Sequence, residues 1–181
     1  DQRKVGEEIL CDCDKNFNNA LDILISHKMG FKNNSKKTSS LYSELLNLME
    51  AGKADFTGTF KSLKATLIKE DDTIFLNNFR NSDEENQHAV SQWLSNWRKL
   101  LQENSKSKTE AIELLSSSNP EFIMRNHLVE QAIGKATKGD FSDFEILCDL
   151  LITPFEVKGN HETFYNAPRD SEVVHQTFCG T

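Results

Sequence analysis

The chain of 181 residues carries 21 basic and 28 acidic side chains, so its formal net charge is −7 and clustered phosphate binding to nucleic acid is disfavoured. Its length suits one ordinary domain or a piece of a larger protein, and a hydrophobic fraction of 37% is enough for a core, which excludes a disordered acidic tail. No apolar run of about 18 residues occurs, so we predict no membrane-spanning helix and no membrane partner.

Apolar residues recur every three or four positions and only 8 Gly and 3 Pro interrupt them, which predicts an all-α protein. We expect an irregular bundle of about 6–8 helices. The first segment, about 7–29, is followed by Gly30, a natural residue to end a helix. One stripe of that segment collects Ile9, Leu10, Cys13, Phe17, Ala20, Leu21, Leu24 and Ile25.

Two more apolar stripes follow a polar loop predicted at 32–40. The second segment ends at Gly52, and its stripe consists of Leu41, Leu45, Leu46 and Met49. The third segment has Asp55 in position to cap its start. Its stripe consists of Phe56, Phe60, Leu63, Leu67 and Ile68.

Three strings fit the capping box, in which Ser or Thr and a Glu three residues later cap a helix start. They are S-D-E-E at 82–85, S-K-T-E at 107–110 and S-D-F-E at 142–145. The first precedes the clearest helix, whose stripe includes Trp93 and Trp97; core packing is favoured over a surface anchor or base stacking for both. Before the third, Phe141 is placed to pack on Ile146, and Gly139 separates two helices.

The sequence lacks a phosphate-binding loop, a dinucleotide fingerprint, H-E-x-x-H and G-x-S-x-G. Cys11 and Cys13 do not suggest a metal site, because residues i and i+2 of a helix point about 200° apart. The acidic runs at 70–72 and 83–85 are better explained by helix dipoles. Four scattered cysteines favour a reducing, cytosolic compartment.

Residues 119–127 read N-P-E-F-I-M-R-N-H and enter a helical pattern. Asn119 can cap or turn, and Pro120 fixes φ. Arg125 and Asn126 bring a donor fork and an amide to the helix entry, just before His127. A loop-to-helix junction held by hydrogen bonds is favoured over direct ligand contact.

The helical pattern is lost after Pro154, so we expect a helical domain at 1–154 and an extended tail at 155–181. The tail ends T-F-C-G-T, which places Cys179 on a segment free to move. Mobility and exposure suit a redox thiol, although these residues alone favour an accidental cysteine.

Several strings resemble the C-terminal part of the selenoprotein O-like (YdiU) family. They are the motif at 119–133, K-G-D-F-S-D-F-E-I-L-C-D-L-L at 138–151, Y-N-A-P at 165–168 and T-F-C-G-T at 177–181. Further matches, such as H-K-M-G-F at 27–31 and A-D-F-T-G-T-F at 54–60, extend the resemblance over nearly the whole chain. The resemblance implies a kinase-like fold and AMP transfer from ATP to Ser, Thr or Tyr hydroxyls of proteins, with Mg²⁺ or Mn²⁺.

The resemblance also implies that the nucleotide-binding and metal-binding residues lie in kinase-like lobes upstream of the matched region. We therefore expect this chain to brace that lobe and shape substrate access, and to have no catalytic, ATP or metal site of its own. Separated from the lobe, it should expose an apolar patch. The implied partners are the lobe and protein substrates, and the implied location is cytoplasmic in bacteria or mitochondrial in eukaryotes.

Cys179 matches the family position of a selenocysteine or cysteine near the C-terminus, which implies a redox switch. Its implied partner cysteine lies near the active site, outside this chain. Asn119, Arg125 and Asn126 match the family motif without an assigned catalytic step. The alternative interpretation is a non-catalytic helical interaction module, which would need Trp93 and Trp97 as surface anchors.

Overall fold

The computed structural model describes residues 2–81, 83–104, 107–159, 161–174 and 176. These residues form eight α-helices, two short 3-10 helices and no strand, which confirms the all-α class. Residue contacts divide the chain into two compact units, 1–118 and 119–181. The domain boundary expected at 154 falls inside the second unit.

The first unit contains α1 (Gln2–Lys28), α2 (Lys36–Ala51), α3 (Phe56–Lys69), α4 (Thr73–Leu76), α5 (Glu84–Asn104) and α6 (Lys108–Ser118). The second unit contains α7 (Asn126–Ala136), α8 (Ser142–Ile152) and 3-10 helices at Glu162–Tyr165 and Asp170–Glu172. In the described ranges, no helix combines the length and apolar character needed to cross a bilayer.

The core of the first unit is built around stacked aromatic rings. The ring centroids of Phe75 and Trp93 are 5.6 Å apart, and those of Trp93 and Trp97 are 6.2 Å apart. The indole N–H of Trp93 donates to the Leu41 carbonyl at 2.8 Å, and that of Trp97 to the Met29 carbonyl at 2.9 Å. Core packing is thus confirmed for both tryptophans, and neither is a surface anchor.

Local sequence signals correctly identify several helix ends. The Asp55 carboxylate accepts from the Gly58 N–H at 2.6 Å and caps α3. The Ser107 hydroxyl accepts from the Glu110 N–H at 3.1 Å at the start of α6. Gly30, with φ of +81°, lies just beyond the end of α1, in a conformation that glycine adopts without strain.

Two other predicted helix starts need correction. Asp83 caps α5, since its carboxylate accepts from the Asn86 N–H at 2.8 Å; Ser82 lies outside the described residues. The capping box at 142–145 is wrong, because α8 begins at Ser142 and the Ser142 N–H donates to the Asp140 carboxylate at 3.0 Å. Phe141 is 55% exposed and occupies the N-cap position of α8, whereas the predicted staple requires it at the preceding N′ position.

The loop predicted at 32–40 is also shorter than expected. The Ser35 hydroxyl accepts from the Thr38 N–H at 3.1 Å, so α2 begins at Lys36. The first turn of α2 consists of polar residues, Lys36, Lys37, Thr38 and Ser39, and their polarity hides the helical period from the sequence.

The largest departure from the sequence pattern lies in α1. Most of its predicted stripe lies outside the core, because residues 7–24 are all exposed. Ile25, at the end of the stripe, packs against the core of the first unit. Helix α1 contacts α2 and α6, and Ser26, near its C-terminal end, is fully buried. From Ile9 to Leu24, the stripe on α1 is therefore an exposed apolar surface.

The second unit has a small core of its own. Its buried apolar residues are Phe122, Leu128, Ala132, Leu147 and Leu150, from the entry to α7 and from helices α7 and α8. The Phe122 N–H donates to the Pro154 carbonyl at 3.0 Å, which ties the two ends of this helix pair together. Phe164 and Tyr165 pack against the same core. Part of the segment after 154 therefore belongs to this unit.

Candidate functional site

The motif at 119–127 forms the entry to α7. Asn119 is buried and Pro120 is half-buried. Arg125 occupies the N-cap position in an extended conformation, and Asn126 is the first residue of the helix. His127, in the first turn, is 7% exposed. The structure places the loop-to-helix junction where the sequence predicts it; the roles of these five residues stay predictions.

A pocket of about 340 Å³ lies beside this junction, within the second unit. Its polar lining comes from three segments: His127, Gln131 and Lys135 of α7, Asp143 of α8, and Asn166, Arg169 and Glu172 near the end of the described chain. Asn166 belongs to the Y-N-A-P string and His127 to the motif at 119–127. Two distant strings of the sequence therefore meet in one pocket.

An aromatic contact supports this meeting. The rings of Phe122 and Tyr165 pack edge to face, with centroids 6.1 Å apart. The Tyr165 hydroxyl accepts from the Lys158 N–H at 2.8 Å. Both the ring and the hydroxyl group of Tyr165 are therefore fixed by contacts. Because Asn166 follows Tyr165 directly, this contact positions the Y-N-A-P string beside α7.

The imidazole of His127 is the buried titratable group of the pocket. Burial lowers the pKa of His127 below its ordinary value of 6.5, and the positive charge of Arg125 acts in the same direction. The negative charge of Glu172 opposes both effects. The Glu172 carboxylate also accepts from the Arg169 N–H at 2.8 Å. At neutral pH the pocket thus presents a neutral imidazole, which can both donate and accept a hydrogen bond.

An ion pair forms another wall of the pocket. The ammonium group of Lys135 lies 2.7 Å from the carboxylate of Asp143, and this hydrogen bond raises the pKa of Lys135. Lys135 and Asp143 pair with each other, and Arg169 and Glu172 also line the pocket, so it suits hydrogen bonding to a polar group of a ligand or of another chain segment. Within the described ranges, no three His, Cys, Asp or Glu residues are grouped to hold a metal ion.

The sequence indicates part of this pocket and misses the rest. His127 and Asn166 lie in strings that stand out locally. Lys135 and Glu172 carry no local signal, and Asp143 stands out only as part of the string S-D-F-E; only the packing of α7, α8 and the later segment brings the three together.

The redox thiol predicted at Cys179 lies outside the described residues. Cys11, Cys13 and Cys148 are free and exposed.

The acidic run at 70–72 serves helix boundaries and surface pairing. The Asp71 carboxylate accepts from the Thr73 N–H at 3.0 Å at the start of α4, and Asp72 forms an ion pair with Arg98.

A family model described as protein adenylyltransferase SelO matches residues 3–152. The chain belongs to the SelO family. The match begins within α1 and ends at the last residue of α8, so it includes the exposed helix, the motif at 119–127 and His127.

Named relatives of this SelO-family chain are called protein nucleotidyltransferase YdiU. The Rhizobium meliloti (strain 1021) protein is 41% identical over 156 residues, which cover 85% of this chain and 31% of the relative. The Rhizobium johnstonii protein is 39% identical over 157 residues, covering 85% and 30%. The Bacillus cereus (strain AH187) protein is 30% identical over 179 residues, covering 98% and 34%. The chain thus spans about a third of the length of these curated relatives.

Proposed function

We propose that this chain is the helical C-terminal part of a longer SelO-family protein adenylyltransferase, which transfers AMP from ATP to Ser, Thr or Tyr hydroxyls of proteins. The supporting observation is a family match over 3–152 in a chain that spans 31% of a relative named as a nucleotidyltransferase. Its proposed partners are the kinase-like part of the same polypeptide and the protein substrates. Free cysteines at three described positions support a reducing location, the cytoplasm in a bacterium.

ATP and Mg²⁺ or Mn²⁺ are the proposed cofactors of the whole enzyme. The described residues of this chain do not fit them: they contain no cluster of three metal-ligating side chains, and the sequence has no glycine-rich phosphate loop. We therefore assign AMP transfer to the kinase-like part. This chain braces that part and shapes substrate access, and we derive no chemical step from its residues.

Cys179 is the proposed redox switch. An oxidant such as a peroxide would accept two electrons as Cys179 and a cysteine of the kinase-like part release two protons and form a disulfide. Cys179 follows Glu172 by seven positions, and a chain of that length reaches at most about 25 Å. Glu172 lines the same pocket as His127. The proposed partner cysteine must therefore lie within about this distance of Glu172.

Intact-mass analysis tests the proposed activity. The 181-residue chain and the full-length protein are each incubated with ATP, Mg²⁺ or Mn²⁺ and candidate protein substrates. We expect added AMP only with the full-length protein. AMP transfer by this chain alone would contradict the division of roles, and its absence from both samples would contradict the proposed enzyme class.

The redox proposal has its own test in the full-length protein. We expect Cys179→Ala to preserve ATP binding and to abolish the change in AMP transfer after oxidant treatment. Cys148→Ala is the matched control, since Cys148 is a free, exposed thiol elsewhere in the second unit. An oxidant response unchanged by Cys179→Ala would overturn the switch.

A further inference from the structure

The apolar face of α1 is left uncovered by the described chain. Its members are Ile9, Leu10, Cys13, Phe17, Ala20, Leu21 and Leu24, all of which are exposed. At 100° per residue they occupy an arc of about 120°, and within 7–24 no charged or amide side chain falls in that arc. Two of its largest members, Leu10 and Phe17, are 68% and 67% exposed.

The opposite side of α1 is polar. It carries Glu8, Lys15, Asn18 and Asp22, and every charged residue of 7–24 lies outside the apolar arc. A one-sided apolar stripe wider than about 100° is typical of a helix that faces a globular core. Helices in proteins gain most of their stability from packing such a face. Covering residues 9–24 of α1 requires a partner surface about 24 Å long.

A second copy of the chain fits this face poorly. A coiled-coil seam needs apolar residues at alternating steps of three and four over at least about three heptads. Here the run covers two heptads, and two of its five positions hold small side chains. The five positions are Leu10, Cys13, Phe17, Ala20 and Leu24. The arc is also wider than the two-position seam of a coiled coil.

The rest of a longer polypeptide fits better. The chain covers 31% of the Rhizobium meliloti relative, and the SelO match includes α1 from residue 3. The exposed face therefore lies in the part shared with proteins about three times as long. We propose that the apolar face of α1 docks on the kinase-like part of the same polypeptide; this inference rests on the proposed function.

Two native cysteines provide a matched pair of probes. Cys13 lies within the apolar face, Cys11 lies about 200° away around the helix, and both are free and exposed in this chain. In a background with serine at the other positions, single-thiol variants retaining Cys11 or Cys13 are labelled with a maleimide. Labelling is compared between the 181-residue chain and the full-length protein, with circular dichroism as the check on folding.

We expect the two thiols to react at similar rates in the 181-residue chain. In the full-length protein, Cys13 should react at least about tenfold more slowly than Cys11, because burial shields a thiol from the reagent. Equal rates for both thiols in the full-length protein would overturn the proposal. Concentration-dependent protection of Cys13 in the 181-residue chain would identify a second copy as the occupant and also overturn it.

A charge placed on either side of the helix gives an independent test. In the full-length protein, Phe17→Glu should restore Cys13 labelling and lower the melting temperature, while Asn18→Glu on the polar side should do neither. In the 181-residue chain, both variants should melt like the parent. If Phe17→Glu leaves Cys13 protected, the docking proposal fails.

AMP transfer is assayed on the same full-length samples, so that the two proposals fail separately. Protection of Cys13 without AMP transfer would contradict the proposed function alone. AMP transfer with Cys13 fully reactive would contradict the docking proposal alone.

Discussion

The indole N–H of Trp97 donates to the Met29 carbonyl at 2.9 Å, so α5 holds the backbone just beyond the end of α1. Both residues are 0% exposed, and a buried carbonyl without a partner costs about 1–3 kcal/mol. The C-terminal end of α1 is therefore fixed on the core of the first unit, while residues 7–24 are exposed.

We expect Trp97→Phe to lower the free energy of unfolding by about 2–3 kcal/mol, through a lost hydrogen bond and an unfilled volume. Urea unfolding followed by circular dichroism measures this loss. Gln92→Ala, at an exposed position of the same helix, should change it by less than about 0.5 kcal/mol. Equal urea midpoints for Trp97→Phe and Gln92→Ala would show that the hydrogen bond from Trp97 to Met29 does not contribute to stability.

Gly52→Ala tests the close approach of two segments of the first unit. A Cβ at Gly52 would lie 2.5 Å from Cδ1 of Phe79 and 3.1 Å from the Leu48 carbonyl oxygen. We expect a loss of about 1–3 kcal/mol, as for overpacking in a core. Gly6→Ala is the control, since nothing lies within 4 Å of its Cβ position. Because Gly6 lies within α1, where Ala is favoured over Gly by about 0.5–1 kcal/mol, its tryptophan fluorescence unfolding curve should match that of the parent or shift slightly towards higher stability.

Asp55→Ala should lower the free energy of unfolding by about 1 kcal/mol, because the first turn of α3 loses its cap. The acceptor that disappears is the carboxylate oxygen 2.6 Å from the Gly58 nitrogen. Asp55→Asn keeps a capping oxygen and should recover most of the loss in chemical denaturation. If Asp55→Asn lowers the free energy of unfolding as much as Asp55→Ala does, the negative charge of Asp55 contributes more than its capping hydrogen bond.

His127 should make stability depend on pH. Burial lowers its pKa in the folded chain below the ordinary 6.5, so the unfolded chain binds more protons as the pH falls through 6.5. The stabilisation is fully present above about pH 6.5 and is lost as the pH falls through the folded pKa. His127→Gln should remove this dependence from melting curves between about pH 5 and pH 7.5.

The exposed His88 provides the control for this prediction. His88→Gln should retain the pH dependence of the parent in the same melting experiment. A parent and a His127→Gln variant with parallel pH profiles would contradict the assignment to His127.

Much of the fold is predictable from local signals. The stripe on α5 with Trp93 and Trp97, and the cap at Asp55, are read correctly because helical period and capping act within a few residues. The sequence predicts Ser82 as the cap of α5, but the Asp83 carboxylate caps this helix. Ser and Asp have similar capping strength, so the sequence does not distinguish between such neighbours. The pocket beside His127 is only partly predictable, because its lining comes from three segments.

The sequence by itself determined the helical class, the positions of most helices and the apolar faces of the longer ones, because hydrophobic periodicity is encoded residue by residue along the chain. Only the tertiary structure decided which apolar faces are covered. The face of α5 is buried around Trp97, whereas the face of α1 around Phe17 is exposed. The two stripes look alike in sequence, and burial depends on whether another surface packs against each of them.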